Sequence, residues 1–84
     1  MVIKQVVLTQ KYEHDVKHIR EDETKLRIKK QIKKVIASPD IGKPLRYSLK
    51  GERTVYIKPY PLIYAVEGET LILLRFEHRK DAYE

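Results

Sequence analysis

Four apolar residues, Leu71-Ile72-Leu73-Leu74, run directly into Arg75-Phe76-Glu77-His78-Arg79-Lys80-Asp81-Ala82-Tyr83. The run is short and β-compatible, and Glu67-Gly68-Glu69 before it reads as a tight turn. Past Phe76 the apolar pattern stops. His78, Arg79, Lys80 and Tyr83 then place an imidazole, two cations and a phenol close together. A rigid strand that delivers polar groups at its end is a common way to build a site. A charged, solvated chain end is the competing reading.

Two other groups have a spacing with chemical meaning. His14 and His18 stand four apart, as in a helical zinc pair. The metalloprotease form of that pair needs Glu after the first His, where this chain has Asp15, and no third ligand is placed nearby. At about 100° per residue the two rings project away from the apolar stripe of their helix, so they read as surface histidines. The second group is Lys25, Arg27, Lys29, Lys30, Lys33 and Lys34, with no acid among residues 25–34. A merely solvated helix usually mixes its signs, and like charges four apart cost about a few tenths of a kcal/mol. The segment reads as a phosphate-binding face, against the alternative of a plain solvated one.

Composition narrows the setting. The chain has 84 residues, and a domain of that size buries only about 60–65% of its unfolded surface, which makes a thin core. It has no cysteine, which fits a reducing, intracellular compartment and leaves no thiolate for metal. No segment approaches the ~20 apolar residues that span a bilayer. Eighteen Lys and Arg against twelve Asp and Glu give a net charge of +6. That balance favours an anionic partner, either nucleic acid or an acidic protein.

These groups need elements to hold them. Val2 to Leu8 is β-rich with apolar residues on both parities, which predicts a strand with apolar groups on both faces. Thr9 is an N-cap for a helix over about 10–20 with Tyr12, Val16 and Ile19 as its stripe. Asp22 is the expected N-cap of a second helix over about 23–37, with Ile28, Ile32, Val35 and Ile36 buried. Leu26 lies off that stripe and is expected to pack in the loop between the helices. Residues 37–44 read as a connector. Strands follow over about 45–49, 54–58, 62–66 and 70–76, with Pro59-Tyr60-Pro61 as a turn. The expected fold is α+β: an N-terminal strand, a helical hairpin, then an antiparallel three- to four-strand meander, with one sheet face left open.

The second half is similar to a known family. Pro44-Leu45, Leu49-Lys50-Gly51, Tyr60-x-Leu62-Ile63-Tyr64 and His78-Arg79-x-Asp81-x-Tyr83 resemble the RelE/ParE toxins of toxin–antitoxin pairs. The β-α-α-β-β-β order agrees, so the resemblance covers nearly the whole chain as one domain over 1–84. It implies a cytoplasmic protein without a cofactor, silenced by a co-expressed, acidic, helical, RelB-like antitoxin. RelE-like members cut mRNA in the ribosomal A site, and ParE-like members poison DNA gyrase. A nucleic-acid-binding module without catalysis is a third possibility.

RNA cleavage of this kind drives the ribose 2′-oxygen onto the adjacent phosphate. It needs a base, cations for the phosphorane charge and an acid for the leaving oxygen. The resemblance implies that Arg79 steadies the phosphate and that Tyr83 is the family tyrosine. His78 is implied as acid or base, because histidine titrates near neutrality. The chain also departs from the family. Thr54, Tyr56 and Pro61 stand where cationic residues are usual, and Arg53, Lys58 and Arg75 are the substitutes nearest in sequence. With the second-helix cations they make up the expected RNA-binding set.

Overall fold

The change from a 3.6-residue to a two-residue apolar period becomes a change from helices to sheet. The computed structural model describes residues 2–45, 51–57 and 60–77. β1 (Gln5–Leu8) precedes α1 (Gln10–Lys17) and α2 (Asp22–Ala37). A 3-10 turn (Pro39–Ile41) leads to β2 (Lys43–Pro44), β3 (Arg53–Ile57), β4 (Tyr60–Glu67) and β5 (Thr70–Phe76). The sheet order is β1-β5-β4-β3-β2. Neighbours are antiparallel except β1, which runs parallel to β5. The expected α+β layout is present, with a mixed five-stranded sheet. No helix among the described residues is long and apolar enough to cross a membrane.

The helices cover one face of the sheet. Tyr12, Ile19, Ile28 and Val35 share a buried cluster with Val55, Ile57, Leu62, Tyr64, Leu71, Leu73 and Phe76. Ile32 and Ile36 pack at its margin, as their place on the stripe requires. Thr9 caps α1: its hydroxyl accepts from the Tyr12 N–H at 3.1 Å. The same oxygen lies 2.9 Å from both the Leu73 and Leu74 carbonyls, so the cap also fastens α1 to β5. α1 stops at Lys17, shorter than expected, yet Ile19 still fills the core from the loop.

Several expectations need correction. α2 begins at Asp22 itself. Glu21 holds the cap position without a side-chain cap bond, so Asp22 serves the first turn through its charge alone. Leu26 is 58% exposed, because at 100° per residue it lies almost opposite Ile28 on α2. β1 is a sheet edge, and Val6, Val7 and Leu8 are all exposed. Its apolar parities were real, but parity names a face without naming what covers it.

Pairing with β3 begins before the expected strand over 45–49, at Lys43–Pro44, inside the expected connector. Leu45 still donates its N–H to the Glu52 carbonyl, and residues 46–49 lie outside the described set. Tyr60 and Pro61 are strand rather than turn, opposite Ile57 and Tyr56. In a strand, the N and O of one residue point to the same side. The Pro61 carbonyl accepts from the Glu77 N–H, beyond the last paired residue of β5. The missing Pro61 N–H therefore faces Glu77 at the end of the β4–β5 ladder and not β3, so the proline removes one bond at the ladder's end and none from the β3–β4 pairing.

One irregularity sets up the far face of the sheet. Tyr64 pairs with Leu73 but Ile63 pairs with Arg75, so Leu74 is the extra residue of a β-bulge. Simple alternation from Leu71 and Leu73 would send Arg75 into the core. The bulge re-phases the strand, so Phe76 takes the core position and Arg75 turns to the other face.

Candidate nucleic-acid interface

Lys25, Lys29, Lys30, Lys33 and Lys34 are all exposed on α2; Lys30, Lys33 and Lys34 point away from its buried stripe, and Lys25 and Lys29 flank it. None of these five lysines forms an ion pair among the described residues. Arg27 is exposed and holds Glu23 one turn back at 3.0 Å. Exposed ammonium groups with no ion-pair partner among the described residues, spread over the outer part of the helix, present a positive potential to solvent. Leu26 stands among these groups, with Lys29, Lys30 and Lys33 as its neighbours three, four and seven residues on.

The other face of the sheet has a different character. Arg75 is bracketed by two carboxylates, with Glu77 at 3.2 Å and Glu52 at 3.5 Å. Glu52 also lines a groove with Glu67, over a floor of Ala65, Ile72 and Leu74. Ile63 and Ala65 are buried, so this face is not bare at its centre. Arg53 is committed to backbone: its guanidinium donates to the Gly42 carbonyl at 2.7 Å and the Asp40 carbonyl at 3.4 Å. The α2 lysines and Arg75 are thus on opposite sides of the sheet and do not form one cluster.

Lys58, His78, Arg79 and Tyr83 lie outside the described residues. The three positions where the chain departs from the family pattern do come together. Thr54, Tyr56 and Pro61 line a single cavity with Gln31, Ile41 and Lys43 at the outer edge of β3. His14 and His18 are exposed, with ring centroids 4.5 Å apart edge to face. Among the described residues no three potential ligands gather for a metal ion.

Two polar residues to which sequence reasoning gave no hydrogen-bonding role shape the frame. Asp15, noted only for failing a zinc motif, accepts from the Phe76 N–H at 3.1 Å and pairs with Lys11. It holds α1 against the point where β5 ends. Tyr64 is fully buried and bridges the 3-10 turn, donating to the Pro39 carbonyl and accepting from the Gly42 N–H. Burial pushes its hydroxyl above the usual phenol range. The Gly42 hydrogen bond and the Arg53 charge pull the other way, and the Asp40 charge adds to the rise. Burial also raises the Tyr12 hydroxyl.

Comparison with known proteins agrees with this frame. The family described as "ParE toxin of type II toxin-antitoxin system, parDE" matches residues 6–83. The chain belongs to the RelE/ParE family of type II toxins. No curated protein sequence matches it significantly. Among solved structures, the toxin–antitoxin complex RelBE2 from Mycobacterium tuberculosis is 26% identical, with a TM-score of 0.75 over 93% of this chain and 100% of that one. The RelB–RelE complex from Methanococcus jannaschii is 23% identical, with a TM-score of 0.73 over 92% and 94% of the two chains. YafQ from E. coli is 20% identical, with a TM-score of 0.75 over 96% and 99%. The last two likenesses concern the fold.

Proposed function

We propose that this toxin stops translation by cutting mRNA on the ribosome, in the cytoplasm, as a single domain. The observation that carries the reading is the set of five exposed lysines on α2 that make no ion pair among the described residues, which suits a polyanion such as ribosomal RNA. In this reading Arg79 stabilises the phosphorane, Tyr83 and His78 move the protons, and the ribose 2′-oxygen attacks the adjacent phosphate. The partner that silences it is an acidic, helical antitoxin of RelB type, since the RelBE2 and RelB–RelE toxins are found with antitoxins. Its acids would meet the α2 lysines, and its apolar residues the exposed Leu26 and the β1 edge.

A second reading has its own support. The matching family description is that of ParE. Arg53 and Arg75, two of the three cations expected to substitute for the departed positions, are engaged by carbonyls and carboxylates respectively. Both facts favour a gyrase-directed toxin. A primer-extension map of mRNA on programmed ribosomes separates the two. Codon-phased cuts that vanish with Arg79→Ala support the nuclease, whereas no cuts with inhibited gyrase supercoiling support the alternative.

A further inference from the structure

Followed backwards from Lys43, β2 would place Gly42 and Ile41 beside Val55 and Tyr56 if it continued. It does not continue, because Pro39–Ile41 curl into the 3-10 turn that Tyr64 and Arg53 hold down. Past Thr54, therefore, no strand among the described residues pairs with the outer edge of β3. A cavity of about 470 Å³ opens there, lined by Gln31, Ile41, Lys43, Thr54, Tyr56 and Pro61.

We propose that this cavity is a nucleobase subsite, which takes one unpaired base of single-stranded RNA against the Tyr56 ring with its phosphate at Lys43. Tyr56 is 58% exposed, an aromatic face left open to solvent. Every base has a π-face, and stacking on tyrosine is how single strands are held without pairing. Ile41 and Pro61 give apolar walls for the edges of a flat ring. Gln31 brings amide donors and an acceptor. Thr54 Oγ1 is shielded from water and has no hydrogen-bond partner among the described residues, an unmet polar group that a base edge satisfies once the hydroxyl rotates into the cavity. Lys43 is exposed and makes no ion pair among the described residues. Lys34 stands one turn beyond Gln31 on α2, so a backbone leaving the cavity meets the helix cations next.

Other ligand chemistry fits less well. A bare phosphate would find one ammonium and mostly apolar walls. A cationic peptide would meet Lys43, and an aliphatic side chain would leave Thr54 and Gln31 unpaired.

The subsite rests on the reading of the chain as an RNA-directed toxin, but it is tested on the isolated protein, without ribosomes. The full chain, isotopically labelled, is titrated with adenosine, AMP, UMP, sodium phosphate and a short single-stranded RNA while backbone amide resonances are followed. Nucleotides are expected to shift residues 54–56 and Lys43, and sodium phosphate is not. Tyr56→Phe keeps the ring and should bind RNA within about twofold of the parent, while Tyr56→Ala should weaken it roughly ten- to a hundredfold. Tyr56 is exposed, so Tyr56→Ala should melt with the parent, which separates lost stacking from lost folding. Lys43→Ala should weaken AMP and spare adenosine. The proposal is overturned if phosphate alone reproduces the shifts, if Tyr56→Ala binds RNA like the parent, or if the shifts centre elsewhere. Nucleotide binding without ribosomal cleavage would leave the subsite standing and remove the nuclease. Cleavage without nucleotide binding would do the reverse.

Discussion

Tyr64 leaves no room for a side chain at position 42. A β-carbon on Gly42 would meet the Tyr64 ring at Cζ and Cε1, 2.9 and 2.8 Å away, with the hydroxyl closer still. Gly42 is therefore fixed by close approach rather than by its backbone angles, since its φ of −71° suits any residue. The same hydroxyl holds the Gly42 N–H at 3.0 Å and the Pro39 carbonyl at 2.6 Å. One phenol thus pins the turn that opens the β3 cavity.

A double-mutant cycle follows from that contact. Gly42→Ala should destabilise by about 1–3 kcal/mol through overpacking. Tyr64→Phe should cost a similar amount, because it leaves a buried N–H and C=O without their partner. Together they should be less than additive, by about 0.5 kcal/mol or more, since removing the oxygen relieves the worst of the crowding. Urea denaturation of the four proteins measures the coupling. Strict additivity would mean that the turn moves aside instead.

The buried tyrosines also predict a response to alkali. Tyr64 and Tyr12 both have hydroxyls raised above their ordinary value of 10.0 by burial. The native state therefore keeps these protons at a pH where the unfolded chain has lost them. Their contribution is complete below about pH 10 and is lost as pH rises through the folded values. Melting temperature should fall more steeply above pH 10 in the parent than in Tyr64→Phe. Parallel curves would remove Tyr64 as a source.

The anchors of α1 give a third outcome. Asp15→Ala removes the acceptor of the Phe76 N–H, and Thr9→Ala removes both the helix cap and the tie to the bulged strand. Each should cost about 1–2 kcal/mol. Amide exchange should speed at Phe76 in the first and at Tyr12 in the second. Thr9→Ser keeps the hydroxyl and should recover most of the loss.

How far these features could be read beforehand depends on whether they are local. The stripe of α2, the Gly68 turn with its φ of +59° and the limits of β5 follow from period and turn chemistry within a few residues. Thr9 was legible as a cap for the same reason. Its second role at Leu73 and Leu74 joins positions 64 and 65 residues apart, and no local pattern carries that. The bulge at Leu74 was hidden likewise, although Arg75 before Phe76 breaks the alternation that a regular strand would need. Pro61 was misplaced because the rule against proline in a strand concerns the N–H, and whether that N–H faces a partner is a property of the sheet. For the site, charge and spacing marked the α2 lysines, and a resemblance marked His78, Arg79 and Tyr83. The grouping of Thr54, Tyr56 and Pro61 with Gln31 and Lys43 needed the tertiary fold, since they come from four separate elements.

The last prediction concerns the α2 lysines. Replacing Lys29, Lys30, Lys33 and Lys34 with Gln should not harm folding, because all four are exposed. Relief of like charges four apart should offset what the lost ammonium groups contribute, leaving the melting temperature nearly unchanged. Binding to ribosomes should weaken. The slope of log affinity against log salt should flatten by about 0.7–0.9 for each phosphate contact removed. Cleavage by the bound toxin should continue at the parental rate, because these groups position the protein and do not touch the reacting atoms. Arg79→Ala should behave in the opposite way, keeping the salt slope while losing about 10²–10³ in bound-state rate. Binding across a salt series, with single-turnover cleavage at saturation, measures both quantities on the same proteins. An unchanged salt slope in the four-lysine variant would show that this face meets no phosphate, and the positive charge would then belong to the antitoxin interface alone.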